Sequence, residues 1–472
     1  MKVRVLFVGA VVLWLTGCAV GPNYTRPTVA VPNAVRGGPV AEAAEAASLA
    51  DQPWWEIFGD DALKALIDEA LRNNYDIREA AWRVEEFRAR AGIARSELYP
   101  QIQYEGGWSR GRQSQFVQPR LNPTKNLQAV NLAFSWEIDV WGRIRRLSEA
   151  ALAEYLSTEE GRRSVLISIV SDTAQAYFEL RELDARLEIA RRTTEAFQAT
   201  YDLFDRQHAG GIASQLEVSR AEAALAAAAA TIPDLESQIV AKENQICFLL
   251  GRNPGPIPRG ASLTDQALPA RVPVGLPSTL LERRPDVRQV EERLVAANAH
   301  VGAAIANFYP KFSLTGSFGG ASPDLADLFH AGRMWSIAAG LAGPLFQGGR
   351  LKNEYRAEEA LFEQAVMEYE STVTRAFGEV STALVAYDQL AATEKQQARS
   401  VAAYQEAVEL ANIRYVAGLS SYVEVLDAEQ QLFPVENALA QIRRARLDAF
   451  VLLYKSLGGG WALESPQASL ER

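Results

Sequence analysis

Residues 143–209 read RIRRLSEAALAEYLSTEEGRRSVLISIVSDTAQAYFELRELDARLEIARRTTEAFQATYDLFDRQHA. No proline interrupts this stretch, so it can form a single helix of roughly 67 residues, about 100 Å long at 1.5 Å per residue. Few globular domains accommodate a helix of that length. Its apolar residues recur at alternating three- and four-residue steps, which predicts packing against partner helices. These residues are Leu166, Ile169, Thr173, Ala176, Leu180, Leu183, Leu187 and Ala190.

The same pattern returns in the second half of the chain, from Arg350 to Ala417. Val373, Val380 and Tyr387 follow Leu166, Thr173 and Leu180 by 207 positions. This self-similarity predicts an internal duplication and takes precedence over a domain count based on chain length. The first predicted repeat, 62–250, has helices from Asp61 to Tyr99, at 143–209 and at 214–250; the second, 276–457, has helices from Leu276 to Tyr309, at 350–417 and at 421–457. The linker 251–275, the tail 458–472 and the amino-terminal arm 18–61 are expected to form a collar.

The period changes from about 3.6 to 2 after Pro100 and Pro310, which predicts one β-hairpin in each repeat, at 101–139 and 311–346. Along the predicted strands, apolar and polar residues alternate, so each strand has one apolar and one polar face. Strands of about 9 to 11 residues are long enough to span a bilayer at the usual tilt. The alternative is a small soluble sheet that is apolar on one side.

Strand number limits how these hairpins can lie in a membrane. Four strands cannot close a barrel, and lipid does not tolerate unpaired strand edges, so several chains would have to pool their strands. Two chains would give an eight-stranded barrel filled by side chains, whereas three would give twelve strands and leave a channel. The strand count therefore favours a trimer if the protein is a pore. Basic residues near the first hairpin loop are expected to meet anionic lipid headgroups or to lie in water: Arg110, Arg112, Arg120 and Lys125.

The first residues predict a secreted protein. Lys2 and Arg4 precede an apolar run from Val5 to Leu15, followed by small residues and Cys18, which is the order of a secretory signal at 1–17. Leu15 to Cys18 also resemble a bacterial lipobox. That resemblance implies cleavage before Cys18 and lipidation of this cysteine, and Ala19 after it implies sorting to the outer membrane. An ordinary signal peptide cut nearby is the alternative.

Composition argues against several other functions. The net charge of −10, with no basic run of five or more residues, argues against a nucleic-acid partner. His208, His300 and His330 are scattered, so no zinc site is predicted. Neither a Walker A lysine motif nor HExxH is present, and an enzyme is not expected. No cofactor is predicted apart from covalent lipid on Cys18.

Several motifs, in order along nearly the whole mature chain, resemble the TolC/NodT-type outer-membrane factor family. They are Cys18–Pro22 (CAVGP), Trp136–Arg143 (WEIDVWGR), Arg284–Arg288 (RPDVR), Phe308–Pro310 (FYP), Leu314–Gly316 (LTG) and Gly343–Arg350 (GPLFQGGR). The resemblance implies a mainly helical homotrimer. Its twelve-stranded outer-membrane barrel, with four strands from each chain, would be continuous with a twelve-helix periplasmic α-barrel.

By the same resemblance, the chain is the passive exit duct of a tripartite efflux system. Its implied partners are a periplasmic adaptor and an inner-membrane pump, most often of the resistance-nodulation-division type. The lipobox and the CAVGP match favour small-molecule efflux. A duct for polypeptide secretion and a non-conducting periplasmic lipoprotein remain alternatives.

Two tight turns connect the long helices to the returning helices. Gly211 and Gly418 are predicted to reverse the chain with positive φ, and Ser214 and Ser421 to cap the next helix. In the family, such turns contact the adaptor. The resemblance therefore assigns this role to Gly211, Ile212, Ala213, Ser214, Gly418, Leu419, Ser420 and Ser421.

Glu424 and Asp427 lie three residues apart, on one helical face. They match the acidic positions that line the closed periplasmic mouth in the family, where threefold symmetry would raise some of their pKa values and attract cations. Glu217 and Tyr415 match a hydrogen-bonded latch, so replacing both is expected to raise channel conductance. Ser420 stands where some members have a latch arginine, and Arg414 is a possible substitute. The alternative is a solvated acidic face on an ordinary helix.

Overall fold

The computed structural model describes residues 19–32, 36–37, 49, 59–112, 125–266, 268–269, 272 and 277–459. The predicted signal peptide, the lipidation site Cys18 and residues 460–472 of the predicted tail lie outside these ranges. The chain divides into two compact units. The first unit comprises 1–28, 82–159 and 289–370, and the second comprises 29–81, 160–288 and 371–472.

The described chain is mainly helical with one antiparallel sheet, as the sequence predicts. The first repeat contains α1 (Asp61–Asn73), α2 (Tyr75–Ser96), β1 (Gln101–Gly111), β2 (Lys125–Ile138), α3 (Arg143–Ala209) and α4 (Gln215–Leu249). The second contains a 3-10 turn (Pro277–Thr279), α5 (Leu280–Arg283), α6 (Pro285–Ala306), β3 (Lys311–Ser322), a 3-10 turn (Leu325–Asp327), β4 (Arg333–Ala342), α7 (Arg350–Val416) and α8 (Tyr422–Ser456). The two repeats therefore have the same order of long helices and hairpins.

The predicted single helix from Asp61 to Tyr99 is instead two helices, because Asn74 interrupts it. Asn74 accepts hydrogen bonds from the backbone N–H groups of Asp76 and Ile77, so it caps α2. Its side-chain Nδ2 donates to the carbonyl oxygen of Leu249 at the end of α4, at 2.8 Å. A buried side chain thus satisfies the ends of two helices at once.

Arg284 occupies the corresponding place in the second repeat, where the predicted helix from Leu276 is also broken. Its side chain donates to Ser456 O at the end of α8, and pairs with Asp286 and Glu379 at 2.6 Å each. Pro285 then begins α6, at a position that needs no backbone donor. The RPDVR motif is therefore a junction between two helix ends.

In the first unit, the strands form one sheet in the order β1-β2-β3-β4, with every neighbouring pair antiparallel. The register separates two faces. Tyr104, Leu132, Phe318 and Trp335 lie side by side on one face, and all four are exposed in the single chain. Residues on the other face are small or polar, including Gln103, Ala133, Ser135, Thr315 and Ser317. The sheet is thus two-faced, as predicted.

The WEIDVWGR motif builds the connection from β2 to α3. Trp136 donates from its indole N–H to Leu98 O, and Trp141 donates to Pro310 O and stacks on Tyr309 at a centroid distance of 4.6 Å. The Asp139 carboxylate accepts the backbone N–H groups of Ile144 and Arg145 at the beginning of α3. These contacts fix the strand ends against the ends of α2 and α6.

The CAVGP motif fastens the amino-terminal arm to the same connection. Val20 N donates to Trp141 O at 3.0 Å, and the buried Arg146 guanidinium bonds to Val20 O, Gly21 O and Asn23. Gly21 has φ +94°, and a Cβ there would lie 2.6 Å from the Cα of Gly302. A side chain at residue 21 would therefore push the arm away from α6.

In the second unit, Asp60 connects three segments and is only 2% exposed. Its Oδ1 caps α1 through the N–H groups of Ala62 and Leu63, and its Oδ2 accepts hydrogen bonds from Tyr177, Ala261 and Gln266. Burial alone would raise the pKa of Asp60. The hydrogen bonds outweigh it, and the net pKa is lowered.

Of the helices that the structure describes, none combines the length and apolar character that a membrane-crossing helix requires.

We predict that Asp60→Asn lowers the stability of the protein by about 1–3 kcal/mol, because an amide cannot accept from all five donors. A lowered pKa contributes stability above the unfolded-state pKa, about 3.9, and that contribution is lost as pH falls through the folded-state pKa. The deficit of the variant should therefore stay constant from neutral pH down to about pH 4 and shrink only as the pH falls further. Thermal unfolding of detergent-solubilised protein measures it.

Asp61→Asn is the matched control, because the Asp61 side chain is fully exposed. An equal loss of melting temperature in both variants would contradict the role assigned to Asp60.

Candidate functional site: the two helix-connecting turns

The first turn joins α3 to α4 and has the predicted conformation. Gly211 has φ +74°, Gly211 N donates to His208 O at 2.9 Å, and Ile212 N donates to Gln207 O at 2.8 Å. These bonds satisfy carbonyl groups at the end of α3. Ile212 is 81% exposed at the tip of the turn.

Ser214 caps α4 with a complete capping box. Its hydroxyl accepts the Glu217 backbone N–H at 3.4 Å, and the Glu217 carboxylate accepts the Ser214 backbone N–H at 2.7 Å and the Ser214 hydroxyl at 2.9 Å. The hydrogen bond from the Ser214 backbone, followed by that from its hydroxyl, lowers the pKa of Glu217. Glu217 therefore holds the beginning of its own helix.

The second turn joins α7 to α8 with the same backbone geometry. Gly418 has φ +73°, Gly418 N donates to Tyr415 O at 2.9 Å, and Leu419 N donates to Arg414 O at 2.9 Å. Ser421 occupies the N-cap position, but its side chain makes no capping hydrogen bond. The predicted cap by Ser421 is therefore absent from this described turn, although Ser421 has extended backbone angles.

Glu424 is the counterpart of Glu217, 207 positions later, yet it has a different contact. Its carboxylate lies 3.4 Å from Nε of Arg414 at the end of α7, and both side chains are about half exposed. An exposed ion pair of this kind contributes about 0–1 kcal/mol. Asp427 is exposed three residues further along α8. The structure thus places Glu424 and Asp427 on the accessible side of this helix.

Tyr415 and Glu217 have separate partners within the chain. The Tyr415 hydroxyl accepts a hydrogen bond from Gln207 Nε2 at 3.2 Å, while Glu217 is engaged in its capping box. Each side chain therefore has a local partner within the single chain, and the latch between Tyr415 and Glu217 stays a prediction. Gln207 and Arg414 occupy equivalent positions of the two repeats. The Ser420 hydroxyl, where some family members have arginine, is buried and makes no hydrogen bond within the described chain.

An aromatic cluster joins the two helix pairs behind these turns. Tyr422 packs edge-on against Phe204 at 5.0 Å and against Tyr415 at 4.9 Å, and its hydroxyl hydrogen-bonds to Thr200. Burial raises the pKa of Tyr422 to about 12. Phe197, Val218, Val425 and Leu426 also belong to the buried cluster. Tyr422 and Thr200 were not predicted from the sequence, because their contact joins residues 222 positions apart.

Among the described residues, no group of three or more His, Cys, Asp or Glu side chains is arranged to hold a metal ion.

Each repeat contributes one hairpin to a sheet with an apolar and a polar face, followed by a pair of long helices joined by a tight turn. Exposed acidic residues follow the second of these turns. These features define a channel protein of the bacterial outer membrane. The model of the family described as outer membrane efflux protein matches residues 66–252 and 276–459. The chain belongs to this family, as its motifs predict. It is an outer-membrane efflux channel protein with a large periplasmic part.

The sequence similarity to known proteins extends over most of the chain. It is 35% identical over 463 residues to the probable efflux pump outer membrane protein TtgC of Pseudomonas putida, covering 96% of this chain and 95% of that protein. It is also 35% identical to the cation efflux system protein CusC of Escherichia coli, covering 96% and 97%. The open-state crystal structure of the Neisseria gonorrhoeae MtrE outer membrane channel has a TM-score of 0.84 and 31% identity, covering 94% of this chain and 98% of that one.

We predict that Ser214→Ala increases hydrogen exchange in the first turn of α4 about fivefold, because losing a helix cap costs about 1 kcal/mol. Ser421→Ala should change exchange in the first turn of α8 far less, since that hydroxyl caps nothing. Mass-spectrometric exchange of peptides from both turns makes the comparison. Equal effects at the two serines would contradict the difference between the turns.

Proposed function

We propose that this chain forms the exit duct of a tripartite efflux pump as a homotrimer whose twelve strands close one outer-membrane barrel. The observation that carries the proposal is the two-faced sheet. Within the described chain, β1 and β4 are edge strands, each with one neighbour. Exposed Tyr104, Trp335 and Ile337 on the apolar face suit lipid, but lipid cannot satisfy the free backbone groups of the edges. Pairing β4 of one copy with β1 of the next removes both edges.

Covalent lipid on Cys18 would reinforce this location. Val20, two residues later, is bonded to Trp141, three residues after β2 ends. A Cβ on Gly142 would lie 2.6 Å from the Cα of Ala19. Ala19 and Val20 therefore lie beside the end of β2, which supports an acyl anchor on this segment in the inner leaflet of the outer membrane. Mass spectrometry of the amino-terminal peptide tests for acylation.

The two turns are the proposed contacts for a periplasmic adaptor, which would link the duct to an inner-membrane pump of the resistance-nodulation-division type. Ile212 and Leu419 support this role, because they are 81% and 72% exposed on rigid, hydrogen-bonded turns. Large exposed apolar side chains at two equivalent positions favour a protein partner. Glu424 and Asp427 of three copies would line the periplasmic mouth, with Glu217 and Tyr415 fixing the neighbouring helix ends.

Small-molecule export is the function that this arrangement supports best. We predict that deleting the gene increases susceptibility to small toxic compounds and that the intact gene restores resistance. Purified protein should migrate as a trimer in detergent gels before heating and as a monomer after heating. Unchanged susceptibility, combined with loss of a secreted polypeptide, would instead indicate a secretion duct. Monomeric migration without heating would contradict the trimer.

Arg414→Ala is predicted to raise single-channel conductance in planar lipid bilayers, because Arg414 holds Glu424 across the second turn. Removing one weak ion pair in each of three copies should favour a wider mouth, and the difference should shrink at high salt, which screens exposed charges. Arg206→Ala is the matched control, since the side chain of this basic residue at the end of α3 bonds, within the described chain, to a backbone carbonyl of its own helix. Conductance equal to the unmodified protein would contradict the role of Arg414.

A further inference from the structure

Among the described strand positions, Glu105 is the single residue in the middle of the sheet that is charged at neutral pH. The other charged strand residues lie first or next to last in their strands: Arg110, Lys125, Glu137, Lys311 and Arg333. Glu105 is the fifth of the eleven residues of β1. Charged residues near strand ends can reach headgroups or water, but a mid-strand carboxylate cannot face hydrocarbon without a large cost.

The register places Glu105 on the polar face of the sheet. Tyr104 and Gly106, its chain neighbours, pair with Leu132 and Val130 on the apolar face. Glu105 itself pairs with Asn131, which pairs in turn with Gly319. In the proposed trimer the apolar face contacts lipid, so Glu105 points into the lumen.

Among the described strand positions of this face, no basic residue lies near enough to neutralise Glu105. Its diagonal neighbours on β2 are Ala129 and Ala133. Lys125 lies six residues from Asn131 along β2, about 20 Å, and Lys311 lies eight residues from Gly319 along β3, about 27 Å. Lys311 is also within 3.8 Å of Glu137. These separations exceed the Debye length of about 8 Å at physiological ionic strength, so the Glu105 charge is not cancelled locally.

The Asn131 side chain, opposite Glu105, is an uncharged amide and therefore does not neutralise the carboxylate. Its Oδ1 is buried and makes no hydrogen bond among the described residues. A Cβ on Gly319 would lie 2.3 Å from that oxygen, so glycine leaves the space that the Asn131 side chain occupies. The Glu105 side chain remains exposed beside this packed pair.

We propose that Glu105 determines the ion selectivity of the membrane-spanning part of the duct. This proposal rests on the proposed trimer, in which three Glu105 carboxylates form a negative ring. Such a ring attracts cations and repels anions, as acidic rings do in cation channels. It would favour the passage of cationic over anionic small molecules, independently of the acidic residues at the periplasmic mouth.

The first test is the reversal potential of single channels in a KCl gradient. It uses a background with Glu424→Gln and Asp427→Asn, so that charges of the mouth do not dominate the measurement. With carboxylates about 10 Å from the axis and one Debye length of screening, Glu105→Gln should lower the cation-to-anion permeability ratio about fivefold. Glu105→Lys should reverse the preference. Glu97→Gln, which removes an exposed glutamate outside the strands, should leave the ratio unchanged.

The second test locates the side chain directly. On a Cys247→Ala background, Glu105→Cys should react with both cationic and anionic water-soluble methanethiosulfonate reagents in lipid vesicles, and Tyr104→Cys should react with neither. Reaction of Glu105→Cys with the anionic reagent should restore cation preference. An unchanged permeability ratio in Glu105→Gln, or an unreactive Glu105→Cys, would overturn the proposal. Absence of channels in every variant and in the unmodified protein would instead overturn the proposed trimeric duct.

Discussion

Unsatisfied backbone groups at the edges of one small sheet constrain the rest of this structure. Four strands with an apolar face have no stable solution as a single chain in lipid, because β1 and β4 each retain a row of free donors and acceptors. Assembly is therefore part of folding for this segment. The contacts of Trp136, Asp139 and Trp141 hold the strand ends against the neighbouring helices.

Within the helical parts, the backbone groups at helix ends likewise need hydrogen-bond partners. Asn74 and Arg284 both stand between a helix that begins and another that ends, and both bond to a terminal carbonyl. A short amide suffices in the first repeat, whereas a guanidinium with two carboxylate partners serves in the second. Duplication has conserved the place of the junction in the fold but not its chemistry.

The sequence predicted the architecture well because it depends on long-range periodicity. The long helices, the hairpins, the two-faced strands and the turn glycines all follow from repeated patterns or from positive φ at Gly211 and Gly418. The breaks at Asn74 and Arg284 were missed, since both residues lie in otherwise helical patterns and their partners, Leu249 and Ser456, are more than 170 positions away. The hydrogen-bond and ion-pair partners of the side chains at the turns could not be predicted from the sequence either. Nothing local distinguishes Glu217, which caps its helix, from Glu424, which reaches Arg414.

The divergence of these two glutamates has a consequence for how the duplicated halves can move. In the first repeat, Ser214 and Glu217 of a Ser-x-x-Glu segment form a capping box, so the beginning of α4 resists fraying. In the second repeat the Glu424 carboxylate does not cap α8. It pairs instead with Arg414 on the neighbouring helix α7, in an exposed contact that salt screens. After duplication, the same Ser-x-x-Glu segment therefore forms a fixed helix cap in the first repeat and an exchangeable ion pair between two helices in the second.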